Sequence, residues 1–140
     1  MPTIFRAMKE GEEGKPVVEA SAKNLGVRSA GSDADVDLDD LGRVVMNAKG
    51  MSVAPSWRAL PFHRIPERLR FQVPNARGSN VTRCFRFGEG PFADGTLSVN
   101  LELMKDSAIH GVVAPASLTQ LEQFQHDLAQ TREFWTIDED

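Results

Sequence analysis

Three polar side chains in this sequence occupy positions from which they could bind a ligand or take part in catalysis. Arg6 interrupts an apolar run, Ser52 follows a glycine at the start of a strand-like segment, and His110 begins another such segment. An arginine among apolar neighbours is costly to bury unless it is paired, and its planar guanidinium binds phosphate or carboxylate through two hydrogen bonds. Each residue also has a structural interpretation, as a salt-bridged edge arginine, a strand-starting serine and a surface histidine.

The common catalytic and metal-binding signatures are absent from the sequence. It contains no phosphate-binding glycine loop, no paired-cysteine zinc motif and no nucleophile elbow. His63, His110 and His126 are scattered along the chain, so no metal site is predicted. The alternating aspartates of residues 33–39 lack the central glycine and closing glutamate of a calcium loop. Cys84 is the single cysteine, which excludes an internal disulfide, and its apolar surroundings predict an inert buried thiol.

Charge is distributed unevenly along the chain. Residues 57–90 carry 7 basic and 2 acidic groups, whereas residues 91–140 carry 2 basic and 9 acidic groups. The basic middle segment either pairs with the acidic segments of the same chain or holds an anionic ligand or partner. Nucleic-acid binding is disfavoured because the remainder is acidic and no DNA- or RNA-binding motif is present. All the basic residues of the middle segment are arginines: Arg58, Arg64, Arg68, Arg70, Arg77, Arg83 and Arg86.

Length and composition predict a single domain over residues 1–140. Its 41% hydrophobic and 26% charged residues are ordinary for a globular protein. The first residues lack the pattern of a secretory signal peptide, and no apolar stretch reaches the roughly 18 residues of a membrane-spanning helix. The single cysteine favours a reducing compartment. A cytoplasmic protein without a membrane partner is therefore expected, and export by a route that reads no such signal stays open.

Alternating apolar residues predict several strands. Residues 97–104 alternate most regularly, which indicates one half-buried strand. Three prolines between residues 55 and 66 indicate an ordered loop that carries Trp57 and Phe62. The other predicted strands are residues 3–8, 44–46, 51–54, 81–87 and 109–114.

One helix is predicted strongly and one weakly. Ser117 and Gln120 have the spacing of a capping box, and the apolar residues that follow recur at helical spacing, so residues 118–132 are predicted to be helical. Residues 17–27 favour a short helix less clearly. Strands followed by a C-terminal helix predict the α+β class.

Three segments resemble, in their order and roughly in their spacing, a family of bacterial toxins. They are the opening Ile-Phe-Arg-Ala-Met around Arg6, the Gly-Met-Ser-Val around Ser52, and the His-Gly-Val-Val-Ala-Pro-Ala that begins at His110. The family comprises small effectors delivered by type VI secretion whose fold is similar to ADP-ribosyltransferases. The likeness extends over most of the chain.

The resemblance implies a split, strongly bent, mostly antiparallel sheet with a C-terminal helix, and NAD in the cleft between its halves. Arg6 would hold the phosphates or a ribose, Ser52 would support the nicotinamide ribose, and His110 would stand on the strand before the last helix. Cleavage of the ribose–nicotinamide bond develops positive charge on the sugar, so such a site must grip the pyrophosphate and orient the ribose hydroxyls. Trp57, Phe62 and His63 would form a loop wall that contacts the cofactor, with the aromatic rings available for stacking.

The chain departs from the family at one catalytic position. Most ADP-ribosyltransferases use a late-strand glutamate to hold a ribose hydroxyl and orient the nucleophile, and residues 111–117 contain none. Glu89 and Glu102 are the nearest candidates, and neither matches in position. Either His110 takes part of the role, or the activity is atypical, or the fold serves only binding.

Two functions follow as expectations. The first is a bacterial toxin acting in the cytosol that uses NAD, by ADP-ribosyl transfer or by NAD hydrolysis, with a cognate immunity protein as partner. The alternative is a non-enzymatic module whose arginine-rich middle segment binds an acidic protein.

Overall fold

Seven short β-strands and one α-helix make up the protein, and the computed structural model describes all of residues 1–140. The α+β class, the single domain and the one C-terminal α-helix predicted from the sequence are confirmed. No helix has the length and apolar character needed to cross a membrane. The elements are β1 (Ile4–Lys9), β2 (Met51–Val53), β3 (Thr82–Phe87), β4 (Gly95–Ser98), β5 (Leu101–Lys105), β6 (Gly111–Pro115), α1 (Leu121–Gln130) and β7 (Thr136–Ile137).

The strands form two antiparallel sheets. One has the order β1-β3-β7 and the other the order β2-β6-β5-β4. They meet where β1 passes the end of β2, because Phe5 N donates to Ala54 O at 2.7 Å and Ala54 N donates to Phe5 O at 3.0 Å. This junction places the middle of β1 beside the start of the second sheet.

Strand β1 is buried on both faces. Successive side chains of a strand point to opposite sides, so Ile4 and Met8 enter the larger core while Phe5 and Ala7 enter a smaller one. The larger core also holds the apolar face of α1, and the smaller core lies beneath residues 54–76. Arg6 shares the face of Ile4 and Met8 and is only 6% exposed. A cation therefore sits in the most enclosed strand of the fold.

The terminal helix is shorter than predicted. It begins at Leu121, and Gln120 at its N-cap position makes no side-chain capping bond. The Ser117 hydroxyl donates instead to Asn100 Oδ1 at 2.7 Å, so the predicted capping box is wrong. The predicted apolar face is present, since Phe124 and Leu128 are fully buried.

The single strand predicted over residues 97–104 is wrong. The chain reverses at Val99 and Asn100, which separates β4 from β5, and Asn100 takes a left-handed backbone with φ of 55°. Val99 is 82% exposed although its neighbours in the alternating pattern are buried. A two-residue turn keeps the even spacing of apolar residues, so the pattern of a hairpin resembles that of one long strand.

Two further predictions are corrected. Residues 17–27 form no helix, and Val18 instead pairs with Leu25 in an isolated bridge. Residues 44–46 form no strand, and Val44 pairs only with Leu38. Both segments are short, and their apolar residues are held by contacts with distant parts of the chain.

Candidate functional site

A cavity of about 210 Å³ lies at the junction of the two sheets. Its lining brings together four of the residues singled out from the sequence, Arg6, Ser52, His63 and His110. They come from β1, β2, the proline-rich loop and the loop before β6. Three further charged residues also line it: Arg28, Asp35 and Arg64.

Arg6 is held by backbone carbonyls rather than by a carboxylate. Its Nε donates to Asn24 O at 3.1 Å, Nη1 to Ser52 O at 2.9 Å and Nη2 to Ser21 O at 3.2 Å. The salt-bridged edge arginine considered from the sequence is therefore wrong. A guanidinium has five N–H donors, so one N–H on each terminal nitrogen has no acceptor within the protein.

The charge of Arg6 is not neutralised by its surroundings. Burial lowers the pKa of Arg6 to about 10, the charge of Asp35 opposes this shift, and the charges of Arg64 and Arg28 add to it. A shift of this size disfavours the folded cation by on the order of 3 kcal/mol. The guanidinium nevertheless stays protonated at neutral pH, so an anion that enters the cavity meets a poorly solvated positive charge.

Two more arginines surround the cavity, and one carboxylate lies among them. Asp35 accepts from Arg28 Nε at 3.2 Å and Nη2 at 3.3 Å, while Arg64 forms no ion pair. Burial and the charge of Arg28 lower the pKa of Arg64, against the charges of Asp35 and Asp33. Three arginines and one aspartate leave the cavity with a net positive charge.

Ser52 is positioned by close contact between β2 and β6. It lies opposite Val112 in the register of the two strands, and its side chain is exposed. Gly50 precedes β2, and a Cβ at that position would lie 2.2 Å from Val113 O, so only glycine permits the strands to approach this closely. The Ser52 carbonyl binds Arg6, and its hydroxyl is free to face a ligand.

His110 is the last residue of the loop that joins β5 to β6. Its Nδ1 lies 2.8 Å from each carboxylate oxygen of Asp106, the first residue of that loop. Asp106 N also donates to His110 O at 3.1 Å, which closes the loop at its base. His110 is thus fixed in orientation while its side chain stays 36% exposed.

His63 also lines the cavity and belongs to the proline-rich loop. Burial and the charges of Arg64 and Arg77 lower the pKa of His63. This downward shift favours the neutral imidazole over the imidazolium. His63 can therefore accept or donate a hydrogen bond without adding to the cationic charge.

A shallower depression of about 470 Å³ adjoins the cavity. The two share Leu60, Pro61 and His110 in their linings. Phe62 and Ile109, 45% and 60% exposed, both line the depression. Phe62 is therefore placed beside the cavity, where its ring is accessible to a ligand that extends past His110.

Trp57 does not line either space. It is 1% exposed in the smaller core, and its Nε1 donates to Asp140 O at 3.0 Å. The guanidinium of Arg58 covers the ring at 4.4 Å. The indole therefore has no open face on which a ligand could stack, contrary to the expectation from the sequence.

The glutamates considered as substitutes are not at the site. Neither Glu89 nor Glu102 lines the cavity, and its one carboxylate is Asp35. Asp106 reaches the site only through His110.

Three of the seven arginines of the middle segment form ion pairs with the chain's own acidic tail. Arg68 donates to Glu139 at 2.9 and 2.6 Å, and Arg83 and Arg86 pair with Glu139 and Asp138 at 3.5 Å. Burial alone would raise the pKa of Glu139, but the hydrogen bonds from Arg68 and from the Cys84 N–H prevail and lower it. Pairing within the chain, one of the two sequence interpretations, is therefore observed for these arginines.

Sequence reasoning missed Arg28 and Asp35. Asp35 lies in the polar segment of alternating aspartates, and Arg28 precedes that segment. One signal was available, since the valine at position 36 stands between two aspartates, and in the structure it is 1% exposed in the larger core. This contact ties the segment to the core, and the adjacent Asp35 lines the cavity.

Comparisons with models of protein families, with curated proteins and with solved structures found no match.

Proposed function

We propose that this protein is an NAD-using toxin of the ADP-ribosyltransferase class that acts in the cytosol. The observation that carries the proposal is the cavity between the two sheets, where Arg6 keeps two free N–H groups beside Ser52 and His110. A type VI route of delivery and a cognate immunity protein belong to the same proposal and rest on the sequence resemblance.

The charge of the cavity supports a phosphate-bearing ligand. Arg6 and Arg64 have no carboxylate partner, and Asp35 neutralises only Arg28. Arginine binds phosphate oxygens through parallel N–H bonds, and such bonds are strengthened where water is excluded. A pyrophosphate with two negative charges would match the excess of positive charge.

The size of the site supports a ligand larger than a phosphate. The cavity of about 210 Å³ is below the ~300–1,000 Å³ that is usual for ligand pockets, and the adjoining depression of about 470 Å³ extends it into that range. Phe62 offers an aromatic face in the depression. A dinucleotide that spans both spaces would pass His110 at their boundary.

Each residue has a separate role in the proposed reaction. Arg6 and Arg64 would hold the phosphates, and the Ser52 hydroxyl would orient the ribose that carries nicotinamide. Positive charge develops on that ribose as the bond to nicotinamide breaks. A firm grip on the phosphates confines the sugar while this charge forms.

Calorimetric titration with NAD tests binding. Arg64→Gln should weaken binding by about 10–100-fold, since one charged contact contributes roughly 1.5–3 kcal/mol. Ser52→Ala should lower the affinity for NAD less than Arg64→Gln does, but should slow the cleavage of NAD. Arg86→Gln is the matched control, because Arg86 lies outside the cavity and pairs with Asp138. Wild-type protein that takes up no NAD, or equal losses in the Arg64 and Arg86 variants, would contradict the proposal.

Expression in a bacterial host tests the toxin. The wild-type chain should slow growth, and Ser52→Ala should relieve the effect at equal soluble expression, because Ser52 is exposed and its replacement leaves the cores unchanged. Normal growth with abundant soluble wild-type protein would count against toxicity.

A further inference from the structure

We propose that Asp106 is a positioning residue that makes His110 the general base for an oxygen nucleophile. The inference rests on the proposed NAD chemistry and names the class of its second substrate, which is water or a hydroxyl group. It also supplies the function for which the family's glutamate is missing.

The geometry of the pair fixes the proton on one ring nitrogen. Asp106 presents both carboxylate oxygens to His110 Nδ1 at 2.8 Å, and a carboxylate only accepts hydrogen bonds. In the neutral ring Nδ1 therefore carries the proton, and Nε2 keeps its lone pair. No protein group bonds Nε2, and the ring borders both the cavity and the adjoining depression.

The hairpin holds the pair in place. Lys105 pairs with Gly111 at the end of the β5–β6 ladder, and Asp106 and His110 are the next residues towards the tip of the hairpin. Backbone bonds from Asp106 N and Ser107 N to His110 O, at 3.1 and 3.3 Å, close the loop. The two side chains are thus neighbours because they lie at the base of the loop, directly after the last pair of the ladder.

The step balances without a further reactant. The oxygen of the nucleophile bonds to the ribose carbon that carries nicotinamide, and the carbon–nitrogen bond breaks. Its electron pair leaves with neutral nicotinamide, and the nucleophile's proton passes to His110 Nε2. The carboxylate of Asp106 then faces an imidazolium, whose charge it stabilises.

Kinetics of NAD consumption test the pair. His110→Gln should lower kcat by about 10²–10⁴-fold, the usual contribution of a general base, with the affinity for NAD retained. Asp106→Asn should lower kcat by about tenfold or more, but by no more than His110→Gln does, and should not raise KM. Asp106→Glu should restore part of the lost kcat. Asp94→Asn is the control, because Asp94 binds the Lys105 N–H of the same hairpin at 2.7 Å and does not touch His110.

Product analysis distinguishes the two sources of the oxygen. Reaction in buffer should yield ADP-ribose if water enters, and added methanol should yield the methyl riboside if the site admits a hydroxyl group. Either product supports an oxygen nucleophile. NAD turnover with kcat unchanged in Asp106→Asn would overturn the role of the pair and leave the NAD proposal standing, whereas absence of NAD binding by wild type would remove both.

Nitrogen-15 NMR of labelled histidine gives a readout that needs no turnover. At a pH where the ring is neutral, His110 should show a protonated Nδ1 and a bare Nε2, and Asp106→Asn should mix the tautomers. His63 and His126 serve as internal references. A proton on Nε2 of wild-type His110 would refute the inference directly.

Discussion

Replacement of Arg6 by lysine is the most direct test of the site's construction. The substitution keeps a buried positive charge in β1 and removes the planar fork that reaches three carbonyl groups, those of Ser21, Asn24 and Ser52. These carbonyls belong to separate segments of the chain, so Arg6 links the loop before residue 27 to β2. The lysine ammonium concentrates its donors on one atom and can satisfy about one of the three.

The expected loss follows from the bonds that lysine cannot make. Hydrogen bonds to a charged group contribute roughly 1.5–3 kcal/mol each, so the loss of two predicts a decrease of about 3–6 kcal/mol in the free energy of unfolding. Burial of the lysine ammonium adds to this loss, because the ammonium is more strongly hydrated than the guanidinium. For a domain of this length, the melting temperature should fall by about 10–20 °C.

Urea unfolding followed by tryptophan fluorescence measures this change, because Trp57 and Trp135 are both 1% exposed and report on the two cores. Arg28→Lys is the matched control, since Arg28 is partly exposed and its pairing with Asp35 contributes about 1 kcal/mol or less. A free energy of unfolding for Arg6→Lys within about 1 kcal/mol of wild type would refute the three-carbonyl link.

Three further outcomes follow from the structure. Glu139→Gln should lower the free energy of unfolding by about 1–2 kcal/mol in urea, because it removes the ion pair with Arg68. The exposed Glu133→Gln is the control and should cost about 0–0.5 kcal/mol. Equal losses in the two variants would show that the tail does not stabilise the fold. Because the pKa of Glu139 is lowered in the folded state, Glu139 stabilises the fold above its unfolded-state pKa of about 4.3. This stabilisation is lost as the pH falls through the folded-state pKa. Glu139→Gln should therefore make the free energy of unfolding depend less on pH in the acid range. Gly50→Ala should cost about 1–3 kcal/mol and weaken NAD binding in calorimetry, because the added Cβ pushes β2 away from β6; binding unchanged from wild type would contradict this. Burial raises the pKa of the Cys84 thiol to about 12, so a thiol reagent at pH 8 should react with it only after unfolding, and rapid labelling of the native protein would contradict its burial.

Some of the candidate site could be predicted from local pattern. A charge within an apolar strand, as at Arg6, indicates a side chain that needs a partner wherever the strand packs. A glycine before Ser52 and a histidine before an apolar run mark the ends of strands, and strand ends line clefts. Local pattern did not predict the partners, since the carbonyls that bind Arg6 lie between 15 and 46 residues away.

Errors in the predicted elements came from patterns that two structures share. Even spacing of apolar residues over 97–104 fits a straight strand and a tight hairpin equally, and the left-handed backbone of Asn100 decides between them. Ser117 and Gln120 have the spacing of a capping box, but Asn100, 17 residues away, takes the Ser117 hydroxyl. In both places a contact formed by folding outweighs a local preference.

The sequence by itself determined the α+β class, the strands around Arg6 and Cys84, the apolar face of the last helix and the excess of arginine in the middle of the chain. These properties depend on side-chain periodicity and composition, which act over a few residues. Only the tertiary structure decided that Trp57 is enclosed, that Arg28, Asp35 and Arg64 join Arg6 around one cavity, and that the acidic tail pairs with Arg68, Arg83 and Arg86. The reason is that burial and charge pairing are set by segments far apart in the chain, whose approach depends on how the two sheets meet at Phe5 and Ala54.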